Sequence, residues 1–274
     1  MTAAALTPLA PGVHAWLDPE PALAHPNAGV VVDEDGVTVL DTLCVGSQWG
    51  PFGDAVDALG APVRRIVLTS SHLPYAGGTT RFARAAVYGT AQTSAHLDQP
   101  PNIDVLRRLF PTVADELDAD LRTRPVTHVV AQPTYVSGAV QVVPLPGQME
   151  ENLVAVVPGA GVVFAGALAC FGVTPLCFQG DPSAWADSLA QVTELGDVIV
   201  PGHGPVGGAD EVLALQAYLW SCVEADGDPG ALPAGPWDDW PGREWDGVNV
   251  ERAAMLARGD TRVPPSLLRR LGLG

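Results

Sequence analysis

The chain has 274 residues, 47% of them apolar, and a formal net charge of −17, which suits one large α/β domain or one domain with an appendage. The acidic balance argues against nucleic acid and against anionic membrane surfaces as partners. All fourteen basic residues are arginine, so lysine chemistry, Schiff-base catalysis included, is excluded.

The N-terminal stretch MTAAALTPLAPGVHAW has neither the basic start nor the long apolar run of a signal peptide. No apolar run approaches the ~18 residues of a membrane span. A soluble cytoplasmic protein without a membrane partner is expected. Residues 12–17, 28–36 and 37–42 read as strands, with Asp33-Glu34-Asp35-Gly36 turning the chain between the last two. PFGDAVDALG (51–60) spaces Phe52, Val56 and Leu59 as a helix and stops at a glycine. VRRIVLTS (63–70) is a strand, GGTTRFARAA (77–86) a helix whose first N–H groups face the preceding loop, and residues 86–90 a further strand.

Residues 92–135 break this rhythm. Within them IDVLRRLFPTVADELDADLR (103–122) is amphipathic and interrupted by Pro111, which predicts two helices meeting at a kink. An insertion of this kind is expected to cover an active site. Residues 139–147, 152–169 and 197–204 return to β structure with glycine turns. Helices follow at 181–195, with Asp181 as cap and Pro182 in the first turn, and at 209–225. Two β-rich halves, each followed by helices, imply a four-layer αββα sandwich over residues 1–225. Residues 226–274 form a C-terminal extension rich in Pro, Gly and Trp, with a helix at 248–259 and a short one after Pro264-Pro265. Trp237, Trp240 and Trp245 are expected to anchor it on the body or to line a pocket mouth. Cys44, Cys170, Cys177 and Cys222 form no C-x-x-C pair and read as buried thiols.

The order of elements, together with VLDT (39–42), TSSHLPYAGG (69–78), LPGQ (145–148), FAGALA (164–169) and VPGHGPV (200–206), resembles the metallo-β-lactamase fold superfamily. Pro-Gly-His-Gly after an apolar strand is the most specific of these motifs. Members of that superfamily carry T-H-x-H-x-D-H-x-G-G at the first loop. On that pattern Thr69, His72, Gly77 and Gly78 match, while Ser70, Pro74 and Tyr75 stand at a histidine, the aspartate and a further histidine position. Gln148 stands where the usual Gly-His has histidine, and Ala167 where the usual Gly-Asp has the bridging aspartate. His203 is kept, and Asp41 matches a position that is structural in the family. Five of the seven customary ligand positions therefore hold no good imidazole or carboxylate ligand, whereas a catalytic zinc takes about three protein ligands.

The resemblance implies a pocket of metal-site dimensions at the sandwich edge, with His72, Tyr75 and His203 on its floor and Ser70, Ser71, Gln148 and Glu150 nearby. The leading expectation is a metal-independent enzyme without cofactor, acting by acid/base chemistry on a small, largely apolar biosynthetic intermediate, as a lyase, cyclase or isomerase does. His72 and His203 are the expected acid/base groups. Tyr75 and Gln148 would stabilise an oxyanion, with help from the N-terminus of the helix at Gly77-Gly78. A serine–base pair of Ser70 or Ser71 with His72 is a further candidate. The alternatives are a non-catalytic binding or scaffold protein, its old site closed by Pro74 and Tyr75, and a mononuclear metal hydrolase that recruits a third ligand. Oligomeric state is not legible in the sequence.

Overall fold

Neighbouring residues of the same strand belong to different cores, and this fixes the layering. In the computed structural model of the chain, which describes residues 4–20 and 22–273, the first half gives β1 (Leu6–Ala10), β2 (Val13–Trp16), β3 (Ala28–Asp33), β4 (Gly36–Leu40), α1 (Gly46–Asp57), β5 (Val63–Val67), α2 (Leu73–Ala76), β6 (Ala86–Gly89), α3 (Ala91–Leu97) and α4 (Ile103–Leu109). Then come β7 (His128–Val129), β8 (Thr134–Tyr135), β9 (Gln141–Leu145), β10 (Asn152–Val157), β11 (Val162–Cys170), α5 (Pro182–Leu195), β12 (Val198–His203), α6 (Ala209–Glu224), α7 (Asp246–Ala257) and α8 (Pro265–Arg270). Met1–Ala3, part of the stretch read for a leader, lie outside the described residues.

β1 to β7 form one sheet in chain order, and a second sheet runs β12-β11-β10-β9-β8. On β3, Val30 packs with Phe52 and Val56 of α1, while Val31 packs toward the other sheet with Leu153 and Phe164. On β10, Val154 and Val156 pack against Trp185 and Leu189 of α5 and Leu215 of α6, while Leu153, Ala155 and Val157 face the first sheet. A strand places alternate side chains on opposite faces. Strands apolar at every position are therefore buried on both faces. The layers run helix, sheet, sheet, helix, as expected from the sequence.

Several local expectations differ from the structure. β1 lies N-terminal to the first strand read from the sequence and pairs antiparallel with β2. α1 starts at Gly46 rather than at Pro51, because Gln48 Oε1 accepts the otherwise orphaned N–H groups of Cys44 (3.1 Å) and Val45 (3.4 Å). In place of the helix expected over 77–86 there is a single 3-10 turn, Thr79–Phe82, and the four-residue α2 precedes it. Gly77 and Gly78 press against the backbone of Cys44 and Thr42, where a Cβ has no room. Their role is close approach, so the helix dipole expected to face the loop is absent. After Pro111 the insertion continues as a 3-10 helix to Glu116 rather than as a second α-helix.

The C-terminal extension packs on α6: Tyr218 meets Trp237 edge-on and Trp240 at a tilt, with ring-centroid distances of 5.8 Å each. All four cysteines are buried and free. No helix among the described residues is long and apolar enough to cross a membrane.

Candidate active site

The loops at one edge of the sandwich are tied down by buried polar side chains. Asp41, in left-handed backbone conformation at φ 59°, accepts hydrogen bonds from Thr69 N (2.8 Å) and Thr69 Oγ1 (2.7 Å). Burial nevertheless pushes its carboxyl up to about 7. Thr69 Oγ1 also accepts from Ala167 N at 3.0 Å. It lies against Gly166, whose φ of +49° and lack of room for a Cβ explain the glycine. Asn27 binds the end of β12: its N–H donates to Gly202 O (2.7 Å), its Nδ2 to Pro201 O (3.0 Å) and Gly204 O (2.8 Å).

These ties bring His72 and His203 to one place. His72 Nδ1 lies 2.8 Å from Gln148 Oε1, and Nε2 lies 2.5 Å from Gln179 Oε1. Its ring stacks on Phe178 at 5.5 Å with 15° between the planes. Burial lowers the His72 pKa, outweighing the opposing hydrogen bonds from Gln179 and Gln148. A neutral imidazole carries one donor and one acceptor, so one of the two carboxamides presents its Nε2 to the ring instead.

His203 closes β12. Its Nδ1–H donates to the His25 carbonyl at 3.1 Å, which leaves Nε2 as the lone-pair nitrogen. Burial pushes its pKa down to about 4, so the ring is neutral at physiological pH. Tyr75 meets it edge-on at 5.8 Å. The Tyr75 hydroxyl is shielded from solvent and has no hydrogen-bond partner among the described residues. Burial holds the phenol well above its ordinary pKa.

Over this floor lies a cavity of about 350 Å³. Leu97, Leu106, Leu109, Phe110 and Leu121 of the insertion form one side, and Leu176 and Phe178 another. The insertion thus forms one wall of the cavity.

Of the residues expected at the site, His72, Tyr75, Gln148, His203 and Ser71 line the cavity. Ser70 does not. It is fully buried, donates to Met149 Sδ at 3.1 Å and accepts from His72 N at 3.1 Å. Glu150 is also elsewhere, exposed beside a separate cavity of about 180 Å³. Asn152 Oδ1 accepts from Met149 N at 2.9 Å, and the turn this closes sends Met149 inward and Glu150 outward. Ser71 pairs with His96 (3.0 Å) rather than with His72.

Phe178, Gln179 and His96 escaped the sequence reading. The first two belong to a loop that α7 holds in place. Asn249 accepts from Cys177 N (2.8 Å) and donates to Pro175 O (2.8 Å). Arg252, only 3% exposed, donates to four backbone carbonyls: Gly180 (2.9 Å), Gln179 (2.6 Å), Thr261 (2.9 Å) and Arg262 (2.9 Å). The available signal was a polar pair at i and i+3, Asn249 and Arg252, among the core-facing positions of α7.

No protein-family model and no curated protein matches the sequence. Solved structures do. The metallo-β-lactamase FIM-1 of Pseudomonas aeruginosa, in its mono-zinc form, matches over 85% of this chain and 98% of its own, at 21% identity and a TM-score of 0.60. A metallo-β-lactamase of Pontibacter korlensis matches over 80% and 99%, at 18% identity and a TM-score of 0.60. The chain has the metallo-β-lactamase fold. The stereoselective inverting sec-alkylsulfatase Pisa1 of Pseudomonas sp. is also similar, at 16% identity and a TM-score of 0.65, over 92% of this chain and 50% of its own.

The metal implied by this fold does not fit the residues present. Among the described residues, no group of three or more His, Cys, Asp or Glu side chains is arranged to hold a metal ion. Both nitrogens of His72 and the Nδ1 of His203 are engaged within the protein. Ser70 is turned to Met149, and Ala167 offers no donor atom. Protein incubated with zinc and desalted is therefore expected to retain less than stoichiometric metal by elemental analysis. One equivalent that disappears in His203→Ala would overturn this and start a search for a missing ligand.

Proposed function

We propose that this chain is a metal-independent enzyme that relocates a proton within a small, largely apolar organic molecule, such as a biosynthetic intermediate, leading to isomerisation, dehydration or cyclisation. The supporting observation is the cavity of about 350 Å³, apolar on its walls and polar on its floor, at the edge where the metal-ligand positions have been replaced. Such a combination is the usual make-up of a small-molecule site.

His203 Nε2 takes and returns the proton. An imidazole held near pKa 4 is neutral and able to accept, and its conjugate acid gives the proton back at once. That suits movement of a proton from one carbon or oxygen to another better than net deprotonation. The carboxamides of Gln148 and Gln179 supply N–H donors for a carbonyl oxygen that gains negative charge. His72 holds both carboxamides and enters proton transfer itself only when a substrate displaces one of them. Tyr75, its hydroxyl turned away from solvent, shapes the floor rather than donating a proton.

The test is deuterium incorporation. Apolar ketones and 1,3-diketones are incubated with the protein in D₂O, and exchange next to the carbonyl is followed by NMR. Exchange above buffer is expected, unchanged by a chelator, and reduced about 100-fold in His203→Gln. A second reading, a non-catalytic binding protein, draws on the fact that both ring nitrogens of His72 are already satisfied. Ketones that bind by calorimetry but exchange no faster than in buffer would decide for it.

A further inference from the structure

At the cavity wall a second constellation exists that the proton-transfer reading does not use. Ser71 Oγ lies 3.0 Å from His96 Nδ1, and both residues line the cavity. Ser71 Oγ also approaches Met149 Sδ, at 3.4 Å. A thioether is a weak acceptor and an imidazole nitrogen a strong one. Moreover, the sulfur already takes the shorter bond from Ser70, at 3.1 Å. In the His96 tautomer that carries its proton on Nε2, Nδ1 accepts and the Ser71 proton points to it.

The two side chains sit on independently anchored elements, Ser71 half-buried and His96 exposed. Ser71 follows the strand end that Asp41 fixes through Thr69. His96 rides on α3, whose N-terminus is capped by Thr90 through Thr93 N (3.1 Å). α3 is docked by a reciprocal pair, Gln92 N to Glu151 Oε2 (3.3 Å) and Glu151 N to Gln92 Oε1 (3.0 Å). Leu97, Pro100 and Pro101 continue the same wall with apolar surface.

We propose that Ser71 and His96 form a nucleophile–base pair that cleaves carboxylic esters carrying an apolar acyl group. Ser71 Oγ bonds to the ester carbonyl carbon while its proton passes to His96 Nδ1. The tetrahedral adduct then expels the alcohol, which leaves with that proton, and the acyl group stays on Ser71. Water attacks the acyl-serine and gives a proton to His96. The carboxylic acid departs and Ser71 Oγ recovers its proton. The Gln148 carboxamide lines the same cavity and offers an N–H donor for the oxyanion. The apolar wall selects the acyl chain.

The experiment uses the full chain, a fluorophosphonate probe and 4-nitrophenyl hexanoate. One phosphonyl group per chain, mapped to Ser71 by peptide mass spectrometry, is expected, with loss of ester turnover on labelling. Ser71→Ala should take no label. His96→Gln keeps a hydrogen-bonding side chain but no base, and should label about 100-fold more slowly. Absence of label from wild-type Ser71, or an unchanged rate in His96→Gln that melts like wild type, overturns the proposal. Its failure is separable from failure of the proton-transfer reading, because phosphonylation and deuterium exchange are independent measurements on the same wild-type protein.

Discussion

Arg252→Met is expected to destabilise the protein by roughly 3 kcal/mol or more, a large share of the 5–15 kcal/mol typical of a folded domain. The side chain is buried, and among the described residues no carboxylate pairs with it. Its guanidinium is satisfied by the carbonyls of Gly180, Gln179, Thr261 and Arg262. Methionine fills much of the volume but leaves those oxygens without donors, and each unsatisfied buried acceptor costs about 1–3 kcal/mol. The damage also reaches the site, since Gln179 sits between the Arg252 clasp and His72 Nε2. Urea denaturation reads the stability, and ¹⁵N NMR of the His72 imidazole reads the site. Arg252→Lys keeps the charge but lacks the planar fork, so only partial recovery is expected. A loss below about 1 kcal/mol with unmoved His72 signals would mean that something other than α7 holds the 175–180 loop.

The second large effect is an opposition between two buried titrations. Asp41 is pushed up to about 7 from an ordinary 3.8, so the folded state binds its proton more tightly than the unfolded chain. The stability it contributes is full below about pH 4 and is lost as pH rises toward 7. The slope approaches 1.4 kcal/mol per pH unit, the value for one proton. His203 runs the other way. Its pKa falls from 6.5 to about 4, so stability is full above 6.5 and is lost as pH falls toward 4. His72, also lowered by burial, adds to that second trend.

Between about pH 4 and 6.5 the wild-type profile is therefore a partial cancellation, and single variants separate its parts. Asp41→Asn should show stability rising with pH more steeply than wild type across this window. His203→Gln should shift the slope in the opposite direction. Urea midpoints at pH 4.5, 5.5 and 6.5 suffice, because groups common to both proteins, including the His25–Asp18 pair at 3.2 Å, cancel in the difference. Profiles parallel to wild type in both variants would show that neither group titrates as its burial implies.

The layers of this fold were legible because they depend on local pattern. Stretches such as LVAVV (153–157) and VVFAGALA (162–169) are apolar at every position, as strands buried on both faces are. Gly77 and Gly78 were visible as glycines, but their reason was not. The neighbours they must admit, Cys44 and Thr42, are more than thirty residues away in the chain, so a helix read from the residues after them did not form.

The same division runs through the site. The replacement of metal ligands at Ser70, Pro74, Tyr75, Gln148 and Ala167 is a matter of residue identity, and the sequence alone decides it. So is the exclusion of lysine chemistry. Which surviving side chain is free to act is a matter of partners, and these come from distant segments. Gln179 engages His72 from 107 residues away, and the His25 carbonyl orients His203 from 178 residues away. The turn around Asn152 directs Met149 inward and Glu150 outward, and the docking of α3 gives Ser71 to His96 rather than to His72. Hydrogen bonds are short-ranged and directional, so contacts of this kind exist only once the chain has folded.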